Sequence, residues 1–310
     1  MISAEHDQLK QGAARLSVLS NTIMVIAKVI VGILSGSVSI MSEAVHSGID
    51  LIAAGIAWYS VRESGKPADN EHPFGHGKIE NVAGTVEALL IFGAALYIIM
   101  EAARKLATGR VEVEHLGIGA AIMAASSVAN YLISRRLLTV AAKTDSVALE
   151  ADALHLRTDV YTSAGVLAGL MAIKLTGITL LDPLVAIVVA FMIIKAAYDL
   201  TTKSFFHILD VKLPPEEEAV ILGVMAEHAD QYLEYHKLRT RKSGHIRHID
   251  MHLVVAKQMT VESGHALSHL ISSDIQRRLA YSHILVHVEP CVNICADSKT
   301  CRRCNHPMEQ

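Results

Sequence analysis

Two histidine–aspartate pairs, His46-x-x-x-Asp50 and His155-x-x-x-Asp159, lie inside stretches that are otherwise apolar. A spacing of four residues stacks two side chains on one face of a helix. Two such helices facing each other would bring two imidazoles and two carboxylates to one depth. That set of two nitrogens and two oxygens suits a four-coordinate divalent cation, Zn2+ above all. In a soluble helix such a pair is ordinarily a solvated surface pair. Embedded in apolar sequence, ionisable groups are costly and are kept where they function, and here the pair occurs twice. Bound metal needs deprotonated ligands, so metal and protons compete for the site. Histidine titrates near neutral pH, which would let a proton gradient empty or refill it.

Three further groups carry possible metal chemistry. The loop Asp69-Asn-Glu-His72-Pro-Phe-Gly-His76 holds three ligand-type side chains. It reads either as a cation site or as a solvated turn, since Pro and Gly at this density are what a turn needs. Eleven of the 17 histidines fall after residue 206, too many for core use. His236, His252 and the pair His287/Glu289 sit on expected strands, and His265 on the helix between them. His287 and Glu289 are two residues apart and so share a sheet face. Taken singly, His228, His245, His248, His269 and His283 read as ordinary surface residues. The tail carries Cys291, Cys295, Cys301 and Cys304 with His306. In a reducing compartment that favours metal over disulfide, yet the spacings match no zinc finger. A formed site and an unstructured weak chelator both stay open.

The elements that must position these residues follow from composition. The chain has 310 residues, 51% of them hydrophobic and 19% charged. Residues 1–207 hold 34 of the 59 charged residues and 208–310 the other 25, so the last third is the more polar. A bilayer core about 30 Å thick needs roughly 20 apolar residues in helix. Candidate spans fall at about 16–34, 38–61, 82–103, 115–134, 147–174 and 178–200. The first half of the fifth carries Glu150, Asp152, His155, Arg157 and Asp159, which can face only the bundle interior or a water-filled cavity. Six spans put both termini on one side. Lys10, Arg15, Arg62, Lys66, Lys78, Arg135, Arg136, Lys143, Lys203 and Lys212 flank that side, against Arg104, Lys105, Arg110 and Lys174 on the other. The positive-inside rule makes the termini cytoplasmic, in a plain cell membrane. No signal peptide is expected, because residues 1–15 are polar.

After Asp210 the pattern predicts a helix from Pro214–Pro215 to about His228, strands over 231–240 and 246–256, a helix over 261–279 and a strand over 283–288. That order suits a small α+β domain with helices on one face of a sheet. The expected domains are therefore 1–207 in the membrane, 208–290 as a soluble domain and 291–310 as a Cys-rich tail. A net charge of −3 with no basic block argues against nucleic acid.

Together these residues resemble the cation diffusion facilitator family of divalent-metal/proton antiporters, over roughly residues 12–290. The resemblance rests on the two intramembrane pairs, on His72-Pro-Phe-Gly-His76-Gly-Lys78-x-Glu80, and on Leu238-Arg239-Thr240-Arg241-x-Ser243-Gly244. It implies six transmembrane helices followed by a cytoplasmic ferredoxin-like domain, assembled as a homodimer. By resemblance His46, Asp50, His155 and Asp159 match the transport site, and Asp69, His72 and His76 a loop site. His236, His252, His265, His287 and Glu289 match a cytoplasmic metal cluster at the dimer interface. His rather than Asp at position 46 accompanies a zinc preference in the family.

The expectation is thus a transporter that exports Zn2+, or Fe2+, Co2+, Ni2+ or Cd2+, from the cytoplasm in exchange for protons. No resident cofactor is expected, the metal being cargo or regulator, and no enzymatic activity. An intramembrane metalloenzyme would need an open metal position, and there is no His-Glu-x-x-His motif. A membrane-anchored metal-sensing scaffold is the remaining alternative, and the twin pairs argue against a mere anchor.

Overall fold

A computed structural model describes residues 2–35, 38–108, 118–176 and 181–291. The chain divides into two compact units, Met1–Ile208 and Leu209–Gln310. The tail cysteines Cys295, Cys301 and Cys304 and His306 lie outside the described residues.

The first unit is built from six long helices: α1 Ile2–Ser35, α2 Val38–Ser64, α3 Lys78–Thr108, α4 Ile118–Thr144, α5 Val147–Thr176 and α6 Leu181–Ile208. Each overlaps a predicted span, and several run further. α1 starts 14 residues before the apolar stretch and α4 ends ten after it. These extra turns are polar only on one face. Ala13 and Ala14 of α1 and Leu137 and Val140 of α4 join one buried cluster with Val61, Ala83, Leu149 and Leu156, and that burial extends the helices past the membrane-length window. Among the described residues, 5–34, 44–64, 78–104 and 183–208 are long and apolar enough to cross a membrane. The described residues of α4 and α5 hold no such window. On α5, Asp152 and His155 are buried. On α1, Leu19, Ile23, Ile26, Ile30 and Ile33 form an exposed apolar stripe at helical spacing, the face that suits lipid.

The closest helix neighbours are α3 with α6, α1 with α2, and α4 with α5. Two glycines set the closeness at α6. A Cβ at Gly84 of α3 would meet the Ser204 hydroxyl at 2.8 Å, and one at Gly165 of α5 would meet Val189 at 2.8 Å. At one end of the helices Glu80 gathers a polar knot. It accepts from Lys10 Nζ at 3.0 Å and from Ser64 Oγ at 2.7 Å, and also from Ser146. Lys10 and Glu80 are each only 1% exposed.

The second unit runs α7 Pro215–Glu227, β1 Glu234–Ser243, β2 Ile246–Val255, α8 Val261–Arg278 and β3 Ser282–Pro290. It is the expected α+β arrangement. The strand order is β1-β2-β3, with β1 and β2 antiparallel and β2 and β3 parallel, joined through α8. β1 begins three residues later than the alternation suggested. Residues before it are occupied in a turn, where buried Tyr232 donates to the Met225 carbonyl at 2.8 Å. Lys242 and Ser243 belong to the strand, and the reversal falls on Gly244, with φ +58°, and His245. A first turn residue in that conformation favours glycine. Ile249, Met251, Leu253 and Val255 of β2 face the α7/α8 side, in a core with Ile221, Met225, Ile271 and Ile275. Period two then puts His248, Asp250 and His252 on the opposite face.

Candidate metal centre

His46 and Asp50 sit one turn apart on α2, and His155 and Asp159 one turn apart on α5. The helices cross so that the pairs meet. Ligand atoms of His46, Asp50 and Asp159 all lie within 4.8 Å of one another. His155 Nε2 is 3.2 Å from Asp50 Oδ1, and His46 Nε2 is 3.8 Å from Asp159 Oδ1. Asp50 and His155 are buried, whereas the His46 side chain is 54% exposed. The group therefore has a closed side and an open one, with His46 at the open side. A cavity of about 220 Å³ adjoins it, bounded by α1, α2, α4 and α5 through residues such as Asn21, Lys28, Ser126 and Thr162. Two nitrogens and two oxygens beside a cavity with polar lining residues can replace the water around a divalent cation by protein ligands.

The surroundings hold residues that spacing alone did not reveal. Asn130 of α4 donates to Asp159 Oδ2 at 3.3 Å, fixing a carboxylate oxygen from outside the ligand set. Lys28 of α1 reaches into the same cavity and donates to Ser47 Oγ at 2.8 Å. The available signal was a lone Asn and a lone Lys in apolar helices, where polar side chains tend to face function.

The loop residues converge too. Asp69, His72 and His76 place one ligand atom each within 4.8 Å of the others. Asp69 Oδ1 accepts from the backbone N–H of His72 at 2.6 Å and of Glu71 at 3.0 Å, so the loop closes as an Asx turn. The His72 N–H above all holds the Asp69 carboxyl below the usual carboxylate range, against a smaller opposing effect of burial. Its other oxygen is 3.4 Å from His76 Nε2. The turn itself thus brings the three ligand-type side chains together.

In the second unit the strand register makes a row. His236 pairs with His252, and His252 with His287, across β1, β2 and β3. Glu289 links them. Its Oε1 is 2.6 Å from His252 Nδ1 and 3.5 Å from His287 Nε2, and its Oε2 is 3.4 Å from His236 Nε2. The hydrogen bond with His252 is the largest influence holding the Glu289 carboxyl below its ordinary range. A bulge follows His236, where Lys237 takes φ +51°, and it interrupts the pairing beside the cluster until Arg239 meets Asp250. His265 stands apart from this row. It lies on α8, exposed, with its ring 4.3 Å from that of His269. His228 is not a surface residue. It is buried with Nε2 2.7 Å from Asp274 Oδ2.

Residues 14–209 match the model of the cation efflux transmembrane domain, and 213–291 that of the cation efflux protein cytoplasmic domain. The chain belongs to the cation diffusion facilitator family. An uncharacterised transporter of Synechocystis is 34% identical over 257 residues, 83% of either chain. The cation-efflux pump FieF of Yersinia pestis is 32% identical over 271 residues, 87% of this chain and 89% of the relative. A solved chain of CzrB in its zinc form is 32% identical over 26% of this chain and 92% of its own, with a TM-score of 0.25. Membership makes this a multi-pass membrane transporter of divalent cations rather than an enzyme, and both family models apply to the two units found above.

Proposed function

We propose that this chain exports a divalent cation, Zn2+ first, from the cytoplasm across the cell membrane in exchange for protons. The observation that carries the reading is the meeting of His46, Asp50 and Asp159 within 4.8 Å, with His155 hydrogen-bonded to Asp50, beside a cavity between helices. Two imidazoles keep the charge of the site at two carboxylates, which matches a small borderline dication without over-binding hard ones. Metal enters from the cytoplasmic side when the ligands are deprotonated. Protons arriving from the other side displace it, because the same lone pairs serve both. Alternating access needs the α2/α5 pair to open to each side in turn. All six long helices span the bilayer in this reading, both termini are cytoplasmic, and the chain works as a homodimer.

The His236/His252/His287/Glu289 row binds the same ion from the cytoplasm and tightens the dimer, with His265 approaching from its own helix. The Asp69/His72/His76 loop holds a cation outside the bilayer. The sharpest test is flux in proteoliposomes with Zn2+ and an imposed pH gradient. His155→Ala and Asp159→Ala are each expected to lower proton-coupled Zn2+ flux by about a hundredfold or more, the scale on which losing a ligand acts. Wild-type flux in both variants would overturn the assignment. Zn2+ flux in the wild type indifferent to the pH gradient would overturn the proton coupling.

A further inference from the structure

A second pair of carboxyl groups is enclosed between α3 and α5, outside the ligand set. Glu87 of α3 is 0% exposed and Asp152 of α5 is 1% exposed. Their four oxygens are sealed from solvent, and among the described residues none receives a hydrogen bond. The Ser17 hydroxyl of α1 approaches Asp152 without reaching bonding geometry. The layer around Glu87 is apolar. Ala88 and Ile91 of α3, Ala151 of α5 and Ala197 and Leu200 of α6 share one buried cluster.

The charged groups facing this position are few. Asp152 is the ionisable neighbour that bears on Glu87. Asp152 is reached in turn by His155 on its own helix and by Asp50 on α2. From α6, one turn before Glu87, the facing polar group is the neutral Ser204 at Gly84. An ionised carboxylate shut away with neither donor nor cation costs several kcal/mol, whereas a carboxylic acid that keeps its proton costs far less. An ionised Asp152 would add its repulsion. Intramembrane acids under these conditions mark ion or proton pathways.

We propose that Glu87 is a proton-binding site distinct from the metal site, with Asp152 relaying its state to His155 and Asp50. The inference rests on the proton-coupled reading above and deepens it. A dication at the His46/Asp50/His155/Asp159 group favours loss of the Glu87 proton through the Asp152 carboxyl. Departure of the metal calls the proton back. Each metal bound therefore releases one proton more than the four ligands alone would release, and the proton that returns restores the neutral acid.

The test counts protons released per Zn2+ bound by the purified full-length protein, by calorimetry in buffers of different ionisation enthalpy. Glu87→Gln keeps shape and polarity but holds no exchangeable proton. Expected are about one proton fewer per Zn2+ than wild type, and a Zn2+ Kd changed less than threefold. An unchanged proton count in Glu87→Gln overturns the inference. Absence of any proton release by the wild type overturns the proton-coupled reading itself, so the two failures are distinct. An independent measurement uses the wild type alone: infrared difference spectra on Zn2+ addition should lose a protonated-carboxyl stretch. A wild type without that band overturns the proposal even if the glutamine variant does not fold.

Discussion

The ammonium of Lys28 shares a cavity with His46, Asp50 and Asp159, held by its hydrogen bond to Ser47. A fixed positive charge there repels the very ion the carboxylates attract. It also offsets the negative charge of the two carboxylates before metal or protons arrive. Removing it should therefore tighten binding, which a merely structural lysine would not do. Lys28→Gln is expected to bind Zn2+ about tenfold more tightly, corresponding to about 1.4 kcal/mol of lost repulsion, and to release it more slowly. Equal or weaker binding in a competition titration would count against this. Among single residues, the sequence was most informative where two signals coincided. The His46/Asp50 and His155/Asp159 pairs combined helical spacing with an apolar setting, and the structure brings all four together. Lys28, Asn130 and Glu87 had the setting but no spaced partner, because their neighbours come from other helices. His228 misled for the opposite reason, as its partner Asp274 is 46 positions away.

Helix ends are where the elements depart from a reading by hydropathy. α1 and α4 continue as helices because Ala13, Ala14, Leu137 and Val140 still find a core beyond the apolar run, and a hydropathy window sees only the run. The knot at these ends ties four elements or their junctions together, through Lys10, Ser64, Glu80 and Ser146. A buried ion pair adds little over a well-packed apolar one, but breaking it strands a charge. Glu80→Leu alone leaves buried Lys10 with Asp7 at 3.5 Å as its remaining carboxylate and is expected to destabilise the helical unit by about 3 kcal/mol. The double variant Lys10→Met/Glu80→Leu should recover most of that loss in thermal unfolding in detergent. Additive losses would mean that the pair itself, rather than the stranded lysine, carries the stability. In the second unit the strands were legible from alternation, while the start of β1 was not. The reversal at Gly244 and His245 sets the register, and Tyr232 holds the preceding residues in a turn.

At the scale of the whole molecule, the two units respond to different chemistry. In the second, His248 is half-buried, and burial above all, then Arg241 and His283, lowers its pKa to about 4. The folded state therefore binds fewer protons than the unfolded chain between about pH 4 and 6.5. Stability rises with pH across that window and falls as acid protonates the unfolded chain first. The melting transition of this domain in the full chain should drop between pH 6.5 and 4.5, and His248→Phe should flatten part of the drop. A variant whose pH dependence matches wild type would exclude His248 as the cause. Composition separates an apolar first part from a more polar last one, because a membrane solvent and water select different residues. The histidine row was only partly legible. His236, His252, His287 and Glu289 share a sheet face that alternation predicts, but His265 belongs to a helix whose place depends on packing.

The contact at Gly165 would limit any movement of α5, the helix that carries His155 and Asp159. Asp159 lies less than two turns before it on α5, and Val189 of α6 rests against bare backbone there. Spinning α5 about its own axis would swing a neighbouring side chain into Val189, whereas leaning about that point keeps the contact. α6 contributes none of the proposed ligands, yet under the proposed alternating access its Val189 would be the fulcrum on which Asp159 and His155 are re-aimed while His46 and Asp50 stay behind on another lever.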